Sequence, residues 1–562
     1  MEIDSLKKNL KKFSISPDAK IKEAMKLINS GQERICFVVD KKKNILKSVT
    51  DGDLRRAILK GYTLSDKLTK IPSKKISIFK EGDSYQEALK KFSNRITVLP
   101  IVDSMGKFKG ILRRHDILPT QDIKSKKILV LGLGYVGLTL SMILADNGFS
   151  VIGYDKDKKV TKSLKNKKPT FYEKGIQGYI DSQIGSNCKI VNDLKDVNCD
   201  IYFITVGTPI NYSTKNPDLS SLKNSIEEIS KKLKKNDLVI LRSTVPIGTT
   251  RNIVKPIIEK FSKLKVGKDI FLAFCPERTL EGQALEELKK LPQIISGYCN
   301  KSLEITEKLF SQYAFTVINV ESLEAAEFSK LIDNTFRDTM FAYSNELSLL
   351  SEKLNLNLPE IIDKVNLGYS RNRIPKPSPG VGGPCLSKDP FILNQSFIQN
   401  KIDSKLIIGA RIVNKKVLKN IFYKSKKILK KNVKDIRKCK IFISGFAFKG
   451  HPETSDIRSS TTVDFLNILK KNKVNNIFGH DFKVSKKEIS NLGVKYCSFT
   501  SGIKNADAIF IMNNSLKYKE IKIFSLVNKM KKPSLFFDCW QVFQADEIKN
   551  IAGINYTSVG SK

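Results

Sequence analysis

Apolar and polar positions along the first fifth of the chain repeat. The segment carrying Asp18, Glu23-Ala24-Met25, Phe37-Val38-Val39-Asp40 and Asp53-Leu54 returns as Asp83, Glu87-Ala88-Leu89, Pro100-Ile101-Val102-Asp103 and Asp116-Ile117, offset by 63 to 65 residues. Each copy predicts a helix, an apolar strand closed by Val-Asp, a turn, a second strand and a helix starting near the late Asp. A polar linker, PTQDIKSK, follows Leu118, and the pattern then changes. Lys127 to Leu131 predict a short buried strand, a helical pattern runs to Asn147, and Val151 to Tyr154 predict a second strand ending at Asp155. From Leu323 to Leu354 apolar residues keep helical spacing, which predicts one long helix. Strand-like runs at Lys440 to Ser444, Val474 to Asp481, Ala508 to Met512 and Leu535 to Asp538 restart the alternation of strand and helix. Such alternation builds a parallel sheet covered by helices, here twice over.

Composition narrows the function classes. A chain of 562 residues is too long for one hydrophobic core, and 41% hydrophobic with 28% charged residues excludes extensive disorder. A net charge of +42 would indicate nucleic-acid binding only if the cations clustered. They are dispersed in doublets such as Lys7-Lys8, Lys158-Lys159 and Lys415-Lys416, so no nucleic-acid partner is expected, though a positive field helps recruit a small anionic substrate. The nine cysteines stand singly with no C-x-x-C pair, which indicates neither a disulfide framework nor a metal site and fits a reducing, cytoplasmic setting. The opening MEIDSLKKNL lacks the apolar core of a signal peptide, and no apolar run approaches the ~18 residues of a bilayer span, so no membrane insertion is expected.

Between the strand at Lys127 and the following helix lies Gly132-Leu133-Gly134-Tyr135-Val136-Gly137, with Asp155 standing 18 residues beyond the last glycine. Strand, G-x-G-x-x-G, helix and a distant acid together form a dinucleotide fingerprint. The glycines let backbone approach a pyrophosphate at the helix N-terminus, and Asp155 can accept bonds from ribose hydroxyls, which favours NAD. Four further segments follow in order: Val206-Gly207-Thr208-Pro209; Ser243-Thr244-Val245-Pro246-Ile247-Gly248-Thr249-Thr250; Cys275-Pro276-Glu277-Arg278 with Glu281-Gly282; and Gly382-Gly383-Pro384-Cys385-Leu386-Ser387-Lys388-Asp389. With the fingerprint, this ordered set resembles the UDP-glucose/GDP-mannose dehydrogenase family over roughly residues 126 to 560.

The resemblance implies an NAD-dependent oxidation of a nucleotide-sugar CH2OH to a carboxylate, feeding surface polysaccharide synthesis. The sugar stays open among UDP-hexoses, UDP-N-acetylhexosamines and GDP-mannose, and a non-catalytic nucleotide-sensing protein stands as the other class. Four electrons leave the alcohol carbon, so an aldehyde must be captured before a second hydride departs, and a cysteine does this as a thiohemiacetal and then a thioester. The resemblance assigns that thiol to Cys385, beside Lys388, whose charge favours thiolate. It implies that Asp389 positions the hydrolytic water, that Lys330 and Asn334 stabilise developing oxyanions, and that Glu277 serves thioester hydrolysis with Thr244 as helper. Cofactor contacts are implied at Gly132, Gly134, Tyr135, Val136, Gly137, Asp155, Thr208, Pro209, Thr244, Glu281 and Lys388. Substrate contacts are implied at Glu277, Lys330, Asn334, Gly382, Lys449 and Arg458, with Asp456 holding the last loop. None of the three histidines, His115, His451 and His480, lies in a motif.

The fold expected is α/β: two Rossmann-like domains joined by a long central helix and preceded by an α+β pair. The N-terminal repeat resembles a CBS-domain pair, and VTDGDLRR, residues 49–56, resembles the form in which a Thr and an Asp three residues later hold an adenine nucleotide. Thr50 and Asp53 fit that pattern, whereas the second copy carries Arg113 in place of the hydroxyl residue. The division expected is 1–120 for the CBS pair, 126–322 for NAD, 323–432 for a central helical part carrying the catalytic loop, and 438–562 for the nucleotide sugar. By the same resemblance the long helix forms a homodimer, or a higher homo-oligomer.

Overall fold

The computed structural model describes residues 13–561 apart from 32–34, 73–75, 84–86, 88–90, 93–95, 97, 114–122, 212 and 372. Lys7, Lys8, Ala88, Leu89, His115, Asp116, Ile117, Leu118 and the first four residues of the linker therefore lie outside the described residues. The chain divides into two compact units, residues 1–123 and 124–562.

The first unit contains the repeat as two small sheets of three strands each. Hairpin Ile35–Val39 with Ile45–Thr50 matches hairpin Val98–Val102 with Phe108–Arg113, displaced by the 63-residue offset. Their register irregularities coincide as well, between Val38 and Val39 in one and Ile101 and Val102 in the other. The Val-Asp ending now has a cause: Asp40 accepts the Asn44 N–H and Asp103 the Lys107 N–H, each at 2.8 Å, which closes the hairpin turn. Phe13, Phe37, Val98, Phe108 and Ile111 form one buried cluster, so the two copies share apolar contacts.

Both sheets of the second unit have the doubly wound order. From one edge, the first runs Cys188–Val191, Ser150–Tyr154, Lys127–Leu131, Ile201–Ile204, Leu238–Leu241, Phe271–Phe274, Gln293–Gly297 and Val317–Asn319. Only the pairing of Phe271–Phe274 with Gln293–Gly297 is antiparallel. The second sheet runs Lys495–Tyr496, Ile477–His480, Ile441–Ser444, Ala508–Ile511, Ser534–Asp538 and Ile554–Ser558, all parallel. In each sheet the order reverses beside the first strand, and ligands bind at the carboxyl ends there. The strand expected from Val474 begins later because the Val474 N–H bonds the Leu469 carbonyl at 3.1 Å, finishing helix Thr461–Lys471.

Between the sheets runs helix Leu323–Lys353, started by the Ser322 hydroxyl accepting the Ala325 N–H. At ~1.5 Å per residue its 31 residues span roughly 46 Å. Its spacing splits it into two faces. Glu327, Lys330, Asn334 and Asp338 follow one another at intervals of three and four and are all buried, whereas Phe328, Ile332, Phe336, Tyr343 and Leu350 are exposed. Helix Lys405–Lys431 packs alongside it.

Candidate active site

One cleft of about 540 Å³ gathers most of the expected site residues. Its lining includes Gly132, Gly134, Tyr135, Val136, Asp155, Thr208, Pro209, Thr244, Glu277, Glu281, Lys330, Cys385, Lys388 and Arg458. Gly132 turns the chain with φ +93°, and Gly134 is the N-cap of helix Tyr135–Asp146 without any side-chain cap. A Cβ on Gly134 would have nothing within 4 Å, so bare N–H groups at the head of a helix open onto the cleft, as a pyrophosphate requires. Asp155 accepts the Leu133 N–H at 2.7 Å and the Asp157 N–H at 2.9 Å, which holds its carboxylate at the rim. These features fit NAD. Gly137 is placed differently from the expectation of a cofactor contact: a Cβ there would lie 1.8 Å from the Gly132 carbonyl oxygen, so its role is to let the helix close on the turn.

Cys385 is the only exposed cysteine of the nine, its sulfur open to the cleft. Protein on its other sides desolvates it, and this, with nearby Asp389, raises the thiol above its usual range against the lowering pull of Lys330 and Lys388. Lys388 pulls in the expected direction but does not prevail, and it also donates to Asp389 Oδ1 at 2.6 Å. Asp389 is fully buried, and Asn334 donates to its second oxygen at 2.5 Å. Bonded through both oxygens, it orders Lys388 and Asn334 beside the thiol. Lys330 by contrast has no hydrogen bond or ion pair among the described residues, and its charge acts on both Cys385 and Glu277. Gly382 is not among the residues lining the cleft, and a Cβ there would stand 2.6 Å from the Ser459 carbonyl oxygen, so glycine lets the two loops meet.

Glu277 and Glu281 lie in one loop after strand Phe271–Phe274 and differ sharply. Burial alone would raise the Glu277 carboxyl, but the fully buried Arg242 guanidinium donates to it and its N–H partner Thr279 lies at 2.7 Å, so it stays below the usual carboxylate range. These partners fix the Glu277 carboxylate at the wall of the cleft. Glu281 is pushed up to about 7 by burial and by Asp456, with Arg458 and Lys449 opposing. Its loop is held by Glu173, which accepts the Gly282 N–H at 2.6 Å and the Ala284 N–H at 2.9 Å.

Lys449 donates to the Glu281 carbonyl oxygen at 2.6 Å and burial lowers its ammonium to about 8. Arg458 lies on Asp456 through Nε and Nη2, at 2.9 Å and 2.6 Å, and 3.7 Å from Glu281. Tyr135 ties the two Rossmann halves, bonding the Tyr172 carbonyl at 3.0 Å and the Thr454 hydroxyl at 3.1 Å. In the first unit Thr50 and Asp53 form a capping box at helix Asp51–Leu59, with the Thr50 hydroxyl 2.7 Å from Asp53 and Arg56 2.6 Å from its other oxygen. Sequence reasoning missed Arg242, Glu173 and Arg411. Arg242 directly precedes the Ser243-Thr244-Val245-Pro246 motif, so its position carried a signal, whereas nothing marks the other two before folding.

The chain matches the UDP-glucose/GDP-mannose dehydrogenase family in three successive parts: the NAD binding domain over residues 126–314, the central domain over 324–416 and the UDP binding domain over 442–545. Residues 8–60 and 68–120 each match a CBS domain. It is 33% identical over 412 residues to the UDP-N-acetyl-D-mannosamine dehydrogenase of Methanocaldococcus jannaschii, covering 72% of this chain and 90% of that one. With the Campylobacter jejuni enzyme of the same name it shares 30% over 411 residues, 72% of this chain and 98% of that one. The solved structure of the UDP-D-ManNAc dehydrogenase from Pyrococcus horikoshii superposes with a TM-score of 0.70 at 29% identity, over 77% of this chain and 99% of that one. Among the described residues no group of three His, Cys, Asp or Glu side chains is placed to hold a metal, and no helix is long and apolar enough to cross a membrane.

Proposed function

The chain belongs to the UDP-glucose/GDP-mannose dehydrogenase family and is an NAD-dependent nucleotide-sugar dehydrogenase, and from that premise we propose that it oxidises C6 of a UDP-N-acetylhexosamine, UDP-N-acetylmannosamine first, to the uronate. The observation that carries the reading is the meeting, in the cleft that also contains the dinucleotide turn, of an exposed Cys385 and a Lys330 that has no ion-pair partner among the described residues. The two named relatives support the choice of sugar.

NAD, held at the Gly132–Gly134 turn and Asp155, would take up the two hydrides that leave C6 in succession, so that CH2OH, two NAD+ and one water give COO−, two NADH and three protons. The Lys330 ammonium faces the oxygen of the alcohol and then of the thiohemiacetal, where negative charge develops. Cys385 adds its sulfur to the aldehyde carbon and releases its proton, and loss of the second hydride leaves a thioester. Glu281, poised near neutrality, takes a proton from water as that water attacks, and the Cys385 sulfur departs. Lys388, Asn334 and Asp389 act as one bonded group that keeps the cleft floor in place.

On this reading residues 1–120 regulate, 126–322 bind NAD, 323–432 carry the nucleophile and 438–562 bind the nucleotide, with Lys449 and Arg458 toward its phosphates. The exposed stripe Phe328, Ile332, Phe336, Tyr343 and Leu350 supports a homodimer through the long helix. An adenine nucleotide at Thr50 and Asp53 is supported by VTDGDLRR alone.

The test is stoichiometry on a panel of UDP- and GDP-sugars. Two NADH and one uronate per UDP-N-acetylmannosamine are expected, with acid formation lost in Cys385→Ala. One NADH with released aldehyde removes the thioester, and preference for another sugar on the panel removes the substrate assignment.

A further inference from the structure

The Cys385 loop is held by a buried polar network that no step of the proposed chemistry uses. Arg411, on helix Lys405–Lys431, is 4% exposed and donates from Nη1 to Asp338 at 2.5 Å. The same guanidinium reaches the Leu386 carbonyl at 3.2 Å and the Val381 carbonyl at 3.3 Å. Those carbonyls lie immediately after Cys385 and four residues before it, so one side chain grips the loop on both sides of the thiol. Asn414, one turn along, donates to Asp338 Oδ1 at 2.8 Å and accepts from Asn345 at 2.8 Å. Asn345 in turn accepts the Ser378 N–H at 2.9 Å, which fixes where the loop begins.

We infer that Asp338 and Arg411 are positioning residues that set where the Cys385 sulfur stands relative to Lys330. Asp338 follows Asn334 by four and Lys330 by eight on the same helix face, so the residue that anchors the nucleophile loop and the residue that meets the oxyanion share one rigid element. A buried ion pair contributes little net stability, since desolvation offsets attraction, and its retention is better explained by the geometry it imposes. Among the described residues Arg411 Nε and Asp338 Oδ2 are buried without a protein partner, so the pair is not arranged for full satisfaction. Lysine at 411 could meet the carboxylate or one carbonyl, but it lacks the planar fork that spans all three acceptors.

This inference rests on Cys385 being the nucleophile, and the test separates the two. Arg411→Lys and Asp338→Asn are measured for kcat, for NAD affinity and for the pH midpoint of Cys385 alkylation by iodoacetamide, followed by peptide mass. A displacement of about 1 Å at a reacting group costs about 10²-fold, so kcat should fall by about that factor while the Kd for NAD stays within about twofold. Burial is the largest influence raising this thiol, so a released loop should lower the alkylation midpoint. The inference is overturned if kcat falls without movement of the midpoint, if neither changes, or if kcat, NAD affinity and folded fraction fall together in both variants. Alkylated wild-type enzyme that still forms acid would instead remove the nucleophile assignment on which all of this depends.

Discussion

Glu277 and Glu281 occupy one loop four residues apart, and the protein drives their carboxyls in opposite directions. Arg242 holds Glu277 ionised, whereas burial and Asp456 bring Glu281 to about 7. A base works only when deprotonated, so thioester hydrolysis should rise with pH up to about 7 and level off above it. Glu281→Gln should remove that inflection and slow hydrolysis by about 10²- to 10⁴-fold, seen as a sugar thioester accumulating on Cys385 by mass spectrometry. Glu277→Gln should keep the inflection and instead lower thermal stability, because it strips the buried Arg242 of its charge partner. An inflection lost with Glu277 rather than Glu281 would exchange the two assignments.

Lys330 should matter through charge. Lys330→Met is expected to lower kcat by about 10²- to 10³-fold, the cost of removing one oxyanion donor. It should also raise the alkylation midpoint of Cys385, since a neighbouring cation that favours the thiolate is gone. That direction is opposite to the one expected of Arg411→Lys, so the two variants distinguish field from position.

The elements were legible because their cause is local. Period-two and period-3.6 patterns with glycine turns specify the first strand, the fingerprint and the long helix, which was expected to Leu354 and ends at Lys353. The site was legible only as a set of residues. That Cys385 lies above the usual thiol range despite Lys388 depends on burial and on Asp389, which closes on that lysine at 2.6 Å, and the depressed Glu277 carboxyl depends on Arg242, 35 positions away in sequence, arriving beside it. Motif spacing says which residues converge, while protonation is fixed by neighbours that only folding brings together. The same holds for Arg411, whose three acceptors come from two separate segments.

Self-association through the long helix should depend on its outer face. Phe336 is 63% exposed and flanked along that face by Ile332 and Tyr343, so Phe336→Glu is expected to halve the mass seen by light scattering without disturbing the melting of the monomer. An unchanged mass would place the assembly surface elsewhere.

The CBS pair offers a separable test. AMP or ATP at millimolar concentration should raise the melting temperature of the wild type by mass action, and Thr50→Ala should abolish that rise. The substitution also removes a helix cap, at about 1 kcal/mol, so the ligand-dependent shift rather than the absolute melting point is the measure. If neither nucleotide alters melting or rate, Thr50 and Asp53 are a capping box and no more.

On the proposed assembly, the two faces of helix Leu323–Lys353 tie self-recognition to turnover. Phe336 looks outward only two positions from Asn334 and Asp338, which look inward, so a change that bends or rotates this rod to suit a neighbouring subunit must also move the floor beneath the reacting carbon. Variants selected for altered assembly should therefore announce themselves first as sluggish enzymes, and evolutionary drift on one side of the rod is constrained by what the other side must hold still.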